Sequence, residues 1–173
     1  HRVTVELHPV FEESFILVFP KDFREPLDLV GLPSSLPFIR FSRLTGTGQQ
    51  IERQIVRMKL KLPQMVEVES SHQQLALVAA GIGWAITTPV CLAAVPELLS
   101  QLRAEPMTRG RFSRSVQVVA RIDELGDIPS LTAALCQQVL QEKIFPPLID
   151  EYPWMAQQLA WPSASVENEE LIA

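Results

Sequence analysis

The sequence predicts an α/β fold built on a parallel sheet with right-handed crossovers, and three observations carry that prediction. Strand-like and helix-like segments alternate between residues 38 and 88, which is the pattern of βαβ units. The helix-like segments of this stretch begin at hydroxyl side chains suited to capping. The composition, with 47% hydrophobic and 20% charged residues in a chain of 173, is typical of one packed domain or two small lobes.

The first half of this α/β unit follows from local patterns. Residues 13–20 form a short apolar run that stops at a proline, which favours a buried strand. Residues 21–35 hold prolines and a Gly-Leu-Pro-Ser-Ser cluster, and they predict a connection. Residues 38–41 are strand-like. Residues 49–60 place apolar side chains at helical spacing after a start signal at Thr47, and Pro63 is predicted to end this helix.

The second half of the unit repeats this arrangement. Residues 65–69 alternate in the manner of a strand, and Ser70 and Ser71 form a second capping box with Gln73 and Gln74. The helix that follows, residues 75–80, ends at a glycine, as helices commonly do. Residues 84–88 then form a third short strand before a proline.

Segments outside this unit predict further elements. Residues 90–102 predict two helical pieces around a proline, and residues 115–121 predict a strand. Residues 163–170 are acidic and small, a composition that predicts disorder.

A later helix is predicted over residues 129–144. Pro129 lies at a favourable first position, and Leu131, Leu135 and Val139 form one apolar face. We expect this helix to stop at the pair of prolines that follows it.

Charge and cysteine usage exclude several classes of protein. The formal net charge of −5 argues against direct DNA binding by this segment, because phosphate contacts require a surface rich in lysine and arginine. Cys91 and Cys136 have no paired spacing and are predicted to be reduced, buried thiols. No secretory signal and no apolar run of about 18 residues occur in the sequence. We therefore expect a cytoplasmic protein without membrane contact.

Hydroxyl side chains gather where the predicted strands end and the helices begin. In an open parallel sheet, ligands bind beyond the carboxyl ends of the strands, where helix N-termini favour an anion. The candidate ligand-binding residues are Ser42, Thr45, Thr47, Ser70, Ser71 and Thr87. Thr88 lies on the same edge. This arrangement suits a small polar or carboxylate ligand and offers nothing that would transform it.

Each of these hydroxyl groups also has a structural interpretation. Serine and threonine at helix starts cap the helix and contribute about 1 kcal/mol each, so capping and ligand contact both stay open. Arg40 and Arg43 flank the first loop, where they would neutralise an anion, although arginines without such a role are commoner. The sequence holds no metal-ligand spacing, catalytic nucleophile or phosphate-binding glycine motif, so we expect no cofactor, metal or catalytic residue.

Three segments resemble one known family. They are residues 37–52 (PFIRFSRLTGTGQQIE), 68–71 (VESS) and 75–89 (LALVAAGIGWAITTP). Together they resemble the effector-binding domain of LysR-type transcriptional regulators. The resemblance covers about residues 10–145, with a crossover strand near its start and a return strand and closing helix near its end.

The resemblance implies a type 2 periplasmic-binding-protein-like fold. In this α/β fold, two subdomains with parallel-type sheets are joined by two crossover strands, and a small-molecule effector lies in the cleft between them. Residues 1–20 and 113–147 would belong to subdomain I, and residues 21–112 to subdomain II. Residues 148–173 are expected to be a partly disordered C-terminal tail.

The family's effector positions match the candidate residues of the loop 42–47 together with Ser70, Ser71 and Thr87. The sequence departs from the family pattern in two ways. Subdomain I is expected to be truncated at its start, where one wall of the cleft would be, and the DNA-binding domain is absent. The effector site is therefore expected to be half present, with a sheet edge that needs cover.

The sequence therefore predicts a ligand-sensing regulatory domain and not an enzyme. The implied partners are a small-molecule effector, further copies in a homodimer or tetramer, and DNA only through a winged helix-turn-helix absent from this chain. Two alternatives are a solute-binding protein of a transport system and a prephenate dehydratase-like enzyme on the same fold. The missing secretory signal argues against the first, and the missing catalytic acid, base or nucleophile argues against the second.

Overall fold

The computed structural model describes residues 2–24, 36–62, 66–163 and 167–172. The chain forms two units, which we call unit 1 (residues 1–14 and 113–173) and unit 2 (residues 15–112). Residues 15–20 belong to unit 2, which differs from the predicted boundary after residue 20. The reason is strand pairing, because these residues bond to strands of unit 2 on both sides.

The elements follow one another along the chain in an order close to the predicted one. They are β1 (Arg2–Ser14), β2 (Ile16–Pro20), β3 (Ile39–Phe41), α1 (Gly46–Arg57), β4 (Val66–Val68), α2 (Ser71–Ala79), β5 (Ala85–Thr87), α3 (Pro89–Ala93), β6 (Leu102–Pro106), β7 (Ser113–Arg121), α4 (Ile128–Val139), α5 (Phe145–Glu151), β8 (Leu159–Ala160) and β9 (Glu167–Ile172). Short 3-10 segments cover Pro96–Gln101 and Pro153–Gln158, and a π-helical turn covers Leu140–Ile144. In the described part of the chain, no helix combines the length and apolar character needed to cross a membrane.

Three strands of unit 2 have the predicted parallel arrangement. β3 pairs in parallel with β4, and a parallel bridge joins Phe38 to Trp84, just ahead of β5. β2 instead lies antiparallel between β5 and β6. The carboxyl ends of β3, β4 and β5 consequently lie at one edge, where α1, α2 and α3 begin.

The start of α1 differs from its prediction by two residues. Thr45, and not Thr47, is the N-cap, and its hydroxyl accepts a hydrogen bond from the N–H of Gly48 at 3.0 Å. A turn closed by the N–H of Thr45 on the carbonyl of Ser42, at 3.1 Å, fixes Thr45 ahead of the helix. A Cβ on Gly48 would lie 1.9 Å from that same carbonyl oxygen, so the close approach requires glycine.

The ends of α2 confirm the predicted signals. Ser70 caps its start by accepting from the N–H of Gln73 at 3.5 Å. Gly81 follows its end at φ 81°, a conformation that glycine adopts without strain. The N–H of Ile82 then bonds to the carbonyl of Leu77, which is the pattern of a Schellman motif. The proline predicted to end α1, Pro63, lies outside the described residues, as do residues 25–35 of the predicted connection.

The core of unit 2 is aromatic around β2. Phe19 lies 5.4 Å from Phe23 and 5.9 Å from Trp84 between ring centres. At the other end of β2, Phe15 stacks on Phe112 at 4.1 Å. Burial of each such side chain contributes about 1.5–3 kcal/mol, so these contacts hold the sheet on which the helix starts are placed.

The described sheet of unit 1 is antiparallel, in contrast to the parallel type expected. β1 pairs antiparallel with β7, and a bulge lies between Pro9 and Phe11. The chain leaves unit 1 along β1 and returns along β7, so the two strands run in opposite directions. The other edge of β1 pairs with β8 and β9.

The acidic C-terminal segment forms a strand, which shows that the prediction of disorder over residues 163–170 was wrong for residues 167–170. β9 pairs with β1 from Arg2 to Leu7. Backbone bonds supply this pairing and cover the expected open edge of the sheet, whereas the disorder prediction rested on side-chain composition. Residues 164–166 and 173 lie outside the described residues.

Helix α4 lies where it was predicted but packs through the opposite face. Leu131 and Leu135 are 66% and 60% exposed, whereas Pro129 and Ala133 are buried. These smaller side chains let the helix pack closely on β1 and β7. The expected apolar face is therefore a solvent-facing stripe.

The pair of prolines after α4 does not end helical structure. Pro146 and Pro147 lie in the first turn of α5, where their missing N–H groups need no intrahelical partner. The predicted tail accordingly continues as α5, a 3-10 segment and β8.

Candidate functional site

A cavity of about 60 Å³ lies in unit 2 at the carboxyl ends of β3 and β5. Five of its lining residues bear a hydroxyl or amide group, one bears a thiol and three are apolar, and none is Asp, Glu, Lys, Arg or His. They are Thr47, Ser71, Gln74, Thr87, Thr88, Cys91, Phe41, Ile51 and Ile86. This volume is several times the roughly 10–15 Å³ that a cavity needs to hold one water molecule, so the cavity admits a few waters or a small polar group.

The polar lining comes from the points where strands give way to helices. Thr47 is the second residue of α1, and Ser71 is the first residue of α2. Thr87 is the last residue of β5, and Thr88 caps α3 by accepting from the N–H of Cys91 at 3.5 Å. The first turns of α1 and α2 present N–H groups without intrahelical partners, and both helix dipoles favour negative charge at that end. The arrangement is suited to hold an anionic or strongly polar group.

The structure brings three of the six predicted residues to the cavity. Thr47, Ser71 and Thr87 line it. Thr45 and Ser70 do not, and both act as helix caps.

Ser42 is also absent from the lining. It is buried, and its hydroxyl accepts from the N–H of Leu44 at 3.3 Å. Its backbone N–H donates to the carbonyl of Val68 at 2.8 Å. Ser42 therefore shapes the loop that leads into α1.

Gln74 also lines the cavity, although the sequence predicts only a role in a capping box for it. Its side-chain Nε2 donates to the carbonyl of Ile39 at 3.1 Å instead. Gln74 is almost fully buried, and a buried glutamine on the face of a helix is uncommon. Its spacing of three residues from Ser71, which places both side chains on one helix face, is the sequence signal that would have identified it.

The two arginines near the site have other roles. Arg40 is buried, and its guanidinium forms an ion pair with Glu52 and donates to the carbonyl of Leu62 at 3.1 Å. Arg43 is exposed, and its backbone N–H donates to a carboxylate oxygen of Glu67 at 3.3 Å. Neither residue lines the cavity, which agrees with the prediction that arginines without a ligand-neutralising role are commoner.

The histidine, carboxylate and cysteine side chains are the groups that could bind a metal ion or react. Among the described residues, no group of three His, Cys, Asp or Glu side chains is placed to hold a metal ion. His72 lies outside the cavity lining, and its Nε2 is 3.3 Å from a carboxylate oxygen of Glu97. Both cysteines are free; Cys91 is half-buried in the cavity wall, and Cys136 is exposed, in contrast to the buried thiol expected.

The sequence also matches a known family. The model of the LysR substrate binding domain matches residues 3–143, which include most of both units. This chain belongs to the LysR substrate-binding-domain family. The predicted family is therefore confirmed. No curated protein matches the sequence significantly.

Solved structures of LysR-type regulators have the same fold as this LysR domain. The C206 mutant of Corynebacterium glutamicum OxyR has a TM-score of 0.64 at 20% identity, over 86% of this chain and 47% of that chain. The apo regulatory domain of HypT from Salmonella typhimurium has a TM-score of 0.58 at 16% identity, over 79% and 65%. The effector binding domain of QuiR in complex with shikimate has a TM-score of 0.59 at 14% identity, over 77% and 63%.

These likenesses fix the fold class of the LysR domain. It is a type 2 periplasmic-binding-protein-like fold, as predicted. The chain spans less than two thirds of each of these three chains. LysR-type regulatory domains are generally non-enzymatic parts of transcription regulators, which bind DNA and are oligomeric at full length.

Proposed function

We propose that this chain is the effector-sensing part of a LysR-type DNA-binding transcription regulator, and that the cavity of unit 2 binds the polar end of a small effector. The observation that carries the proposal is the meeting of two helix starts, α1 and α2, at a cavity whose polar lining consists of hydroxyl and amide groups and, among the described residues, of no charged side chain. We further propose that units 1 and 2 correspond to the family's two subdomains.

A carboxylate is the effector group that this lining favours. Burial of a carboxylate is costly unless hydrogen bonds replace its water. Hydroxyl groups at Thr47, Ser71 and Thr87, and the N–H groups of two first helical turns, are donors of the required kind. Among the residues that the structure describes, no carboxylate side chain lines the cavity to repel an anion. The QuiR domain, whose structure contains shikimate, is consistent with such a ligand class.

Binding would act as a signal through a change in conformational populations. A ligand shifts an equilibrium only by its difference in affinity between two states. The shift would pass to a DNA-binding domain outside this chain, which would read the operator sequence. We further propose that the regulator acts in the cytoplasm, as is consistent with its membership of the LysR family.

A homodimer or tetramer is the proposed assembly. The solvent-facing stripe of α4, with Leu131 and Leu135, supports self-association, and no residue of α4 is charged. Sedimentation of the chain carrying Leu131→Ser and Leu135→Ser is expected to show a lower association state than the unaltered chain. An unchanged association state would show that α4 does not form the interface between copies.

Oxidant sensing is a second candidate function, because a half-buried thiol lies in the cavity wall. Cys91 lines a cavity that admits a molecule as small as hydrogen peroxide. One solved neighbour is an H2O2-bound OxyR mutant from Corynebacterium glutamicum, and another is a hypochlorite-specific regulator. Mass spectrometry after peroxide treatment tests it: oxidation of Cys91 without oxidation of the exposed Cys136 supports this function, and the reverse order contradicts it.

Thermal-shift and calorimetric titrations with small carboxylates test the carboxylate proposal. Thr87→Val removes a lining hydroxyl at nearly constant shape, and it should weaken binding by about tenfold, which is one hydrogen bond to a charged group. Thr45→Val, outside the cavity, is the matched control and should lower stability without altering affinity. Equal effects on affinity would contradict the assignment of the cavity.

Analysis of the ligand after incubation separates sensing from catalysis. A sensor binds its effector and returns it unchanged. Consumption of a stabilising carboxylate would instead favour the enzyme alternative on this fold. Binding without turnover, together with a helix-turn-helix encoded upstream of His1, would favour the regulator over a transport protein.

A further inference from the structure

One end of unit 2 carries a cluster of exposed basic side chains, which we call the basic patch. It consists of Arg53, Arg57, Lys59, Lys61, Arg109 and Arg111, all of them exposed. These six are drawn from only 15 lysines and arginines in a chain with 20 acidic residues. No Asp or Glu occurs in residues 53–62 or 107–112.

Two segments distant in sequence are joined at this patch. The side chain of Gln54 donates to the carbonyl of Gly110 at 2.8 Å. Gly110, at φ 66°, lies so close to Met58 that a Cβ would be 2.2 Å from its Sδ. Arg109 and Arg111 flank this glycine, so they lie beside the end of α1, where the other basic residues are found.

The local structure does not require these charges. Arg53 and Arg57 are four residues apart on α1, where like charges repel. Lys59 has φ 55°, a left-handed conformation that favours glycine. A helix dipole favours a cation at the last turn of α1, but it does not account for Arg53, Arg109 or Arg111.

None of the six makes an ion pair with a carboxylate in the described residues. Arg40 differs from the six, because it is buried and paired with Glu52. The patch is therefore a concentrated positive surface on a chain whose overall charge is negative. At Lys59, glycine would suit the backbone better, and the like charges of Arg53 and Arg57 repel each other.

We propose that the basic patch binds the phosphate backbone of double-stranded DNA without reading its sequence. Single strands are held by exposed aromatic side chains on which bases stack, and the aromatic ring nearest in sequence, Phe112, is stacked on Phe15 instead. A protein partner requires large apolar anchors, and the exposed apolar residue within this end of α1 is a single valine, Val56. Binding of the phosphate backbone requires only cationic side chains, and these are what the basic patch provides.

This inference goes beyond the proposed function and does not depend on the cavity. It revises the expectation, drawn from net charge, that this segment avoids DNA. A net charge describes the whole chain, whereas phosphate contacts depend on the few charges at the contact. Such a contact would be weak by itself, and it would add affinity when another domain already holds the regulator on DNA.

Fluorescence anisotropy with a labelled random-sequence duplex tests the proposal on the full chain. Binding should weaken steeply between about 50 mM and about 200 mM salt. The variant Arg53→Glu, Arg57→Glu, Arg109→Glu should bind at least about tenfold more weakly, with a shallower salt slope. Circular dichroism checks that the variant is folded.

A charge-matched variant serves as the control. It carries Lys21→Glu, Arg121→Glu and Lys143→Glu, which give the same net charge by changing exposed residues outside the patch. Its affinity for duplex DNA should fall by less than about threefold. A second variant, Lys59→Gly, should raise stability while weakening DNA binding.

Several outcomes would overturn the proposal. One is an equal loss of binding in the patch variant and its control. Another is no binding of the duplex at low salt. Binding of poly-glutamate but not of duplex DNA would assign the patch to an acidic protein instead.

Discussion

The hydroxyl of Thr45 accepts the N–H of Gly48 at 3.0 Å, and this bond belongs to the cap of α1 and not to the cavity. Thr45→Ala should lower the free energy of unfolding by about 1 kcal/mol, because an N–H loses its acceptor. Urea unfolding measures this loss, and titration with a small carboxylate should show unchanged affinity. The comparison variant Thr47→Ala should weaken carboxylate binding and leave the free energy of unfolding nearly unchanged. Identical changes in stability and affinity for the two variants would contradict the separation of cap from cavity.

Gly48 permits the close contact between α1 and the loop before it. A Cβ there would lie 1.9 Å from the carbonyl oxygen of Ser42, whereas a Cβ on Gly46 would meet nothing within 4 Å. Gly48→Ala should therefore destabilise the chain by about 2 kcal/mol or more through forced backbone movement. Gly46→Ala should be neutral or stabilising by up to about 1 kcal/mol. Chemical unfolding of both variants decides the matter, and equal stabilities would contradict the observed contact.

The ion pair between buried Arg40 and half-buried Glu52 should be costly to break. Glu52→Gln leaves a buried guanidinium without its counter-charge and should cost about 2–4 kcal/mol. Glu124→Gln removes a partner of Arg121 from an exposed pair at 3.5 Å and should cost less than about 1 kcal/mol. Unfolding experiments on both variants test the difference. Similar costs would mean that Arg40 is held mainly by its contact with Phe38, at 5.4 Å from the ring centre.

The strands and helices of residues 38–88 were predictable because their signals are local. Ser70 and Gly81 mark the ends of α2 by their own chemistry, and they do so in the structure. The start of α1 was misplaced because Thr45 and Thr47 are both suitable caps, and only the turn at Ser42 decides between them. Because this contact lies outside the helix, the residue pattern of the helix does not predict which threonine is the N-cap.

Long-range pairing and packing account for the other differences. The pairing of β9 with β1 joins the two ends of the chain, and acidic composition concealed it. For α4, a stripe with Leu131 and Leu135 looked like a core face, but close packing on the sheet selected Ala133. The cavity lies at the edge where the candidate site is predicted. Its wall also includes Gln74 and apolar residues, whose contribution depends on three-dimensional packing.

The C-terminal strand should protect the edge of β1. β9 pairs with residues 2–7 of β1, and β8 pairs with Glu12 and Glu13. A chain that ends at Ser163 should lose hydrogen-exchange protection at alternate amides of residues 3–7, because those N–H groups lose their acceptors. Amides of β1 that bond to β7 serve as the internal control. Unchanged protection at residues 3–7 would contradict the pairing.

The central claim is that the cavity of unit 2 takes the carboxylate end of an effector, and methyl NMR tests it most directly. Ile51 and Ile86 line the cavity, whereas Ile82 and Ile128 are exposed outside it. Acetate has four non-hydrogen atoms, so at a ceiling of about 1.5 kcal/mol per atom its dissociation constant is about 40 μM at the tightest. Titration with acetate should shift the methyl signals of Ile51 and Ile86. Thr87→Val should weaken that response. Shifts confined to the exposed isoleucines, or none at saturating acetate, would contradict the account.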